Sequence, residues 1–400
     1  MSDGTTLLTV APARELTGLI NRETVRQATV AFDNLRSIIL TGSLARDEGT
    51  FERDQQGWKL LGDVELLLVF HRTAALPPEE RVGTVCRSIE SALALRGLAA
   101  RIGLSAVSPQ YLLSLEPDIF AYELLACGRV IWGDSEVLAL IPDISPADLR
   151  LEDAWRLLQN RIAEQLDLLA EPARLRALSQ RARYHTAKLY LDLGTSLLVF
   201  AGAYAPTYRE RTENLCCLAG PPAVGTGWPF PLAPFAERVA ACCRYKVSPE
   251  ENDPPGWELW LEVVDYARRL SRWELGRLTG SGPDLGDDAV WQRWLRMQNP
   301  WRRLRGWLYV ARQQGWFRSW RRWPRWCRLA WRSSPRHLVY RASSELFFAL
   351  PDLLAGAIRR SEPAFPLPIE PSPDSDAPPW RRLAFAVVRN YRLFVEDTRS

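Results

Sequence analysis

The sequence predicts an α/β (α+β) protein in which a small sheet-containing domain is followed by a larger all-helical one. Three observations predict it. Short apolar runs of strand length, bounded by turn residues, occur at 36–40, 64–70 and 99–107. From Asp148 onward the apolar residues recur instead at three- and four-residue spacing, the period of a helix with one buried face. Between these regions lies Pro142–Pro146, which has the composition of a linker.

In chain order, residues 1–13 read as loose. Glu15–Phe32 carries Leu16, Leu19, Ile20, Val25 and Val30 and predicts a helix ahead of the first strand. Arg36–Leu40 reads as a short buried strand ending in the turn Thr41-Gly42-Ser43. Gly42 allows close approach of a ligand to the backbone, and Ser43 offers a hydroxyl and an N–H. Leu44 onward can start a helix whose first-turn N–H groups point at an anion. Asp47–Lys59 is polar and carries Gly49 and Gly57, the pattern of a loop or hairpin bordering that turn.

Val64–Phe70 is apolar except for Glu65. Asp63 and Glu65 lie two apart on this strand, so both carboxylates leave one face while Val64 points to the other. Two adjacent acids repel unless a cation lies between them, and oxygen ligands of this kind suit Mg²⁺. Pro77-Pro78 opens a helix to about Leu95, with Val82, Val85, Cys86, Ile89 and Leu93 on one face. Ala99–Val107 is the third strand, Ser108-Pro109 starts another helix, Asp118–Cys127 is helical, and Val130–Asp134 closes a domain spanning 14–141.

A helical domain is predicted over 148–280, with helices at Leu151–Leu169, Ala173–Ala203, Phe235–Arg244 and Trp257–Leu278. A Tyr/Arg/Glu-rich turn runs from Gly202 to Arg211, and Ala219–Pro234 is a Pro/Gly-rich loop. Residues 287–360 form an Arg/Trp-rich helical region, 361–379 a Pro-rich linker and 380–400 a final helix. There is no internal repeat.

Composition narrows the function classes. At 400 residues the chain holds two or more domains, and a net charge of +4 implies no global nucleic-acid or membrane affinity. Seven Cys show no Cys-x-x-Cys, His occurs only at 71, 185 and 337, and no zinc site is suggested. An odd number of thiols, no signal pattern and no long apolar window make the chain read as cytoplasmic.

A Gly-Ser turn after a strand, followed by Asp-x-Glu on a second strand, resembles the nucleotidyltransferase family of the polymerase-beta superfamily. Gly42, Ser43, Arg46, Asp63 and Glu65 carry the resemblance, which covers about residues 30–141. It implies a mixed-sheet nucleotidyltransferase domain and transfer of a nucleoside monophosphate from an NTP, expected to be ATP, to the hydroxyl of an unidentified acceptor. It also implies that Asp63 and Glu65 bind Mg²⁺ and do the catalysis, while Gly42, Ser43 and Arg46 hold the nucleotide phosphates. Glu48 stands where such proteins often carry an acid, and reads more simply as a turn charge.

The family's third acid has no counterpart, since 100–107 reads Ala-Arg-Ile-Gly-Leu-Ser-Ala-Val. A base would have to come from Glu123, Asp192 or Glu210. The alternative is a catalytically inactive nucleotidyltransferase fold that binds or regulates, membrane-apposed through its Arg/Trp segment. His185 reads as a surface or half-buried side chain.

Arg293–Arg341 contains fourteen Arg, and nine Trp lie between Trp291 and Trp331, with no acid between Asp288 and Glu345. One reading is an amphipathic layer whose Trp side chains fill a core, with Trp291, Trp294, Trp301 and Arg305 at helical intervals. The others are a membrane-surface contact, which would make the protein peripheral at a membrane, and a nucleic-acid contact.

Overall fold

The computed structural model describes residues 6–7, 10–55, 57–71, 75–169, 178–220, 227–247, 249, 254–282, 284–317, 319–355, 366–369 and 379–396. The chain divides into two compact units. The first comprises Met1–Asp153, Ala201–Gly220 and Ala233–Pro254, and the second Ala154–Phe200, Pro221–Leu232 and Pro255–Ser400. This division cuts across the linear one into 14–141 and 148–280. The helix Tyr208–Ala219, and all but the first residue of the helix Leu232–Val247, belong to the first unit.

The first unit is built on a mixed sheet of β1 (Thr6–Leu7), β2 (Leu35–Thr41), β3 (Phe51–Asp54), β4 (Gly57–Phe70), β5 (Leu98–Val107) and β6 (Arg129–Gly133). β4 is central. It pairs in parallel with β5 along one edge, while β3 and β2 share the other edge, both antiparallel. β2 continues the sheet to β6, and β3 to β1.

The predicted strand at 64–70 is only the second half of β4. The first half forms the hairpin with β3 that the glycines of 47–59 suggest. Between Lys59 and Asp63 the register with β5 shifts, which breaks the in–out alternation and hides this part of the strand from a period-2 reading.

One face of the sheet packs Ile38 and Leu40, Val64, Leu66 and Leu68, and Ile102 and Leu104 into a single core. Ile20 and Ala28 of the helix Val10–Ala31 join it, as do Val82, Val85, Ile89 and Leu93 of the helix Glu79–Ala94. Each such aliphatic side chain contributes about 1.5–3 kcal/mol when fully buried. Pro78 precedes the second helix, and Glu79 and Glu80 in its first turn complement its dipole. On the opposite face Ile39, Leu67 and Val69 are buried, whereas Asp63 and Glu65 are exposed. The open end of that face is where the acids stand.

Among its described residues the second unit's regular elements are all helices. Its core gathers Trp155, Trp291, Trp294, Trp307, Trp326 and Tyr340. The Trp155 ring meets Trp294, Tyr340 and Trp291 edge-on at centroid distances of 5.2, 5.6 and 5.7 Å. Trp301, expected to continue the phase of Trp291 and Trp294, is 77% exposed. The helix carrying those two ends at Met297, and Asn299 caps a new one at Pro300, so the phase does not carry across. Inside the bundle Gln159 links Ser271 (3.0 Å) to Ser344 (2.6 Å), and Ser196 donates to Glu274 at 2.6 Å.

Of the predicted linker 361–379, only 366–369 and 379 are described. There Leu367 and Ile369 are buried, with the backbone of Ile369 clamped at both N–H and C=O by Asn390 at 2.8 Å. The remainder of that segment, the loop positions 221–226 and the start 1–5 lie outside the described residues. Among the described residues no helix is long and apolar enough to cross a membrane.

Candidate active site

The turn after β2 and the acids of β4 meet because the two strands are paired: Thr41 lies opposite Glu65. Gly42 follows with φ +67°, a left-handed conformation that favours glycine. A Cβ built at Gly42 would stand 2.3 Å from Oε2 of Glu65, so only glycine lets that carboxylate lie against the turn. Gly42–Ala45 makes a single helical turn, with Ser43 half-buried at its start. Asp63 shares the face of Glu65, with the buried Val64 between them pointing away. The structure thus sets Gly42 against Glu65, with Ser43 next in the turn and Asp63 two residues away on the same strand face.

On the neighbouring strand the residues in register with Asp63, Glu65 and Leu67 are Arg101, Gly103 and Ser105. A cation therefore stands beside Asp63 at the position from which β5 could offer an acid. Two carboxylates and a serine hydroxyl are hard oxygen donors. They fit Mg²⁺, which keeps several waters and is commonly bound by one or two carboxylates plus substrate phosphates. Among the described residues no group of three His, Cys, Asp or Glu is placed to hold a metal ion.

Arg46 does not join this cluster, contrary to its expected phosphate role. Its guanidinium, with a side chain only 7% exposed, donates to Glu48 Oε2 at 3.0 Å and to Glu123 Oε2 at 2.5 Å. Burial opposes its charge, but Glu123, Tyr208 and Glu48 keep its pKa above the ordinary guanidinium value. Glu48, expected to be a turn charge, is buried. One carboxylate oxygen accepts the N–H of Tyr208 at 2.5 Å, and its backbone carbonyl accepts Lys246 Nζ at 2.7 Å.

Glu123 is held by Tyr204 Oη at 2.6 Å and by Arg211 as well as by Arg46. Arg211 lies over the rings of Tyr204 and Tyr208 at 4.6 and 5.0 Å. Burial pushes the Tyr204 phenol well above its usual pKa, so it stays a neutral donor. Sequence reasoning missed Lys246 and the convergence of Tyr204, Tyr208 and Arg211 on these acids. The available signals were a rare Lys in an Arg-dominated chain and the four- and three-residue steps from 204 to 208 to 211.

The other expected bases are also committed. Glu210 closes a capping box with Thr207, and Asp192 pairs with Arg161 at 2.5 Å inside the second unit. His185 is half-buried and its pKa is pushed down to about 3, first by burial and then by Arg161, Lys188 and Arg181, so it is neutral near pH 7. Compared with protein-family models and with curated proteins, the sequence matches none.

Proposed function

We propose that the first unit is a nucleotidyltransferase that moves a nucleoside monophosphate from an NTP, with ATP as the working choice, to an acceptor hydroxyl. The observation that carries this reading is the contact of the Glu65 carboxylate with the Gly42 backbone, with Asp63 on the same open face. Glycine at this point lets an exposed strand carboxylate lie directly against the turn.

In this reading the acceptor hydroxyl gives up its proton to solvent, its oxygen bonds to the α-phosphorus, the bond from that phosphorus to the β-phosphate bridging oxygen breaks, and pyrophosphate leaves. Asp63 and Glu65 would hold Mg²⁺, which when bound supplies charge neutralisation of the phosphates and a more acidic acceptor hydroxyl. Gly42 and Ser43 orient the outer phosphates through the Ser43 hydroxyl and backbone N–H groups. Arg101, in register with Asp63, limits repulsion between the acids and the incoming triphosphate. The free thiols of all seven Cys suit the reducing cytoplasm, where Mg²⁺ and NTPs are supplied.

A second reading is favoured by one specific observation: Glu48, Glu123 and Asp192 are all engaged by cations, and Arg101 occupies the flanking position on β5. It is a nucleotide-binding module of the same fold that does not turn over. One experiment separates the two. The full chain is incubated with each labelled NTP and Mg²⁺, with transfer to the protein or to a metabolite extract as readout, beside calorimetry with Mg-ATP. Transfer supports the enzyme, and binding without transfer supports the module. Asp63→Ala is expected to abolish metal-dependent nucleotide binding, and unchanged affinity in that variant would refute both.

A further inference from the structure

We propose that the second unit docks peripherally on an anionic lipid surface through the helices Pro300–Gln313 and Trp323–Arg332. The two helices are joined through their inner sides. Trp307 and Trp326 lie 6.3 Å apart, Trp307 Nε1 donates to the Ser333 carbonyl at 2.8 Å, and Arg303 donates to the Trp331 carbonyl at 3.0 Å. Their exposed sides mix arginines with large apolar side chains that a solvated helix would bury.

On the first helix Trp301, Leu304 and Leu308 follow one another at three- and four-residue steps, with exposures of 77, 45 and 48%. They flank the buried side of the helix, which carries Trp307, Val310 and Ala311. In the second segment Trp320, in the short 3₁₀ turn before the helix, and Trp323 and Trp331 on the helix itself are 62, 40 and 86% exposed. Phe317, in the connection, is 94% exposed. Scattered apolar residues on a surface need no explanation, but this concentration of large exposed ones between 301 and 331 does.

Charge selects the occupant. Arg302, Arg305, Arg312 and Arg322 are exposed among these side chains, and the sequence has no acid between Asp288 and Glu345 to balance them. Indole rings favour the headgroup boundary, where the N–H meets lipid carbonyls and phosphates while the ring enters the acyl edge, and Arg pairs with anionic headgroups. A nucleic-acid partner would also reward Arg and stacked Trp, but it gains nothing from Leu304 and Leu308, which a bilayer boundary buries. No described helix is long and apolar enough to span, so the contact is interfacial. None of this depends on the Gly42–Glu65 site.

The test is flotation of the full chain with vesicles of phosphatidylcholine alone or mixed with phosphatidylglycerol. The chain is expected to float with the anionic vesicles at low salt, to stay behind with the neutral ones, and to be released by high salt. The variant Trp301→Ser/Leu304→Ser/Leu308→Ser changes only exposed side chains, so its circular dichroism and melting should match the parent while its vesicle partitioning falls about tenfold. Arg302→Gln/Arg305→Gln/Arg312→Gln should lose the preference for anionic lipid. Failure of the parent to bind anionic vesicles, or undiminished binding by a folded triple-Ser variant, overturns the proposal. So does binding to RNA or duplex DNA in the absence of vesicle binding.

Discussion

Replacing Gly42 by Ala tests the contact on which the functional reading turns. Two effects add. The backbone at φ +67° must be held by a residue with a Cβ, a strain of about 1–2 kcal/mol, partly offset by the smaller entropy of the unfolded Ala chain. The new Cβ would also lie 2.3 Å from Oε2 of Glu65, while Cδ of Glu65 at 3.2 Å is only slightly close and its Cβ at 3.6 Å is in ordinary contact. Rotation of the carboxylate away from the turn therefore relieves the clash, for about 1 kcal/mol of rotamer strain.

In a Glu65→Ala background only the backbone effect remains. A double-mutant cycle should then give a coupling of about 1 kcal/mol, above the roughly 0.5 kcal/mol within which independent sites add. Hydrogen exchange of the β2 and β4 amides as a function of urea isolates this sheet from the helical unit. The same displacement removes the carboxylate from the proposed phosphate turn, so Mg-ATP affinity in Gly42→Ala should fall about tenfold by calorimetry. A coupling indistinguishable from zero, or parental Mg-ATP affinity in Gly42→Ala, would refute the reasoning.

Two other predictions concern buried acids. Burial pushes the Glu274 carboxyl up to about 8 from an ordinary 4.5, with Ser196 as its hydrogen-bond partner. Between these values the folded state holds a proton that the unfolded chain has lost, so stability falls as pH rises from about 4.5 to 8 and levels off above, by at most about 5 kcal/mol. Glu274→Gln should flatten this dependence in urea titrations at pH 5 and pH 8, and an unchanged slope would show that the carboxyl ionises freely in the fold. Glu123→Gln removes the charge that faces Arg46 and Arg211 and should destabilise the first unit by about 3 kcal/mol. Lost nucleotidyl transfer with parental stability would instead make Glu123 a base.

The parts of the fold legible in the sequence are those governed by neighbours along the chain. Asp63, Val64 and Glu65 alternate because a strand has period two, and their facing needed no knowledge of the rest of the protein. The helix Glu79–Ala94 announced itself through Pro78 and one apolar face. The fate of Arg46 was not legible, because whether it meets a phosphate or a carboxylate depends on Glu123, 77 positions away. Trp301 was misplaced for a related reason. Its phase depends on a break at Asn299–Pro300 that a continuous spacing count runs through. The start of β4 was hidden by its own irregularity between Lys59 and Asp63.

The network behind the turn bears on the proposed phosphate role even though none of its side chains reaches the open face by the contacts described. Three cations, Arg46, Arg211 and Lys246, share it with two carboxylates, Glu48 and Glu123, and with the neutral phenol of Tyr204. Within that set positive charge exceeds negative by one (3 − 2), in a buried setting that screens it poorly. The set is tied to the turn directly, since the Glu48 N–H donates to the Ser43 carbonyl at 2.8 Å. If Gly42–Ser43 holds a phosphate as proposed, Arg46 serves it through the rigidity of the turn rather than by touching it. A surface arginine in its place would supply the charge but not the fixed backbone that presents Ser43.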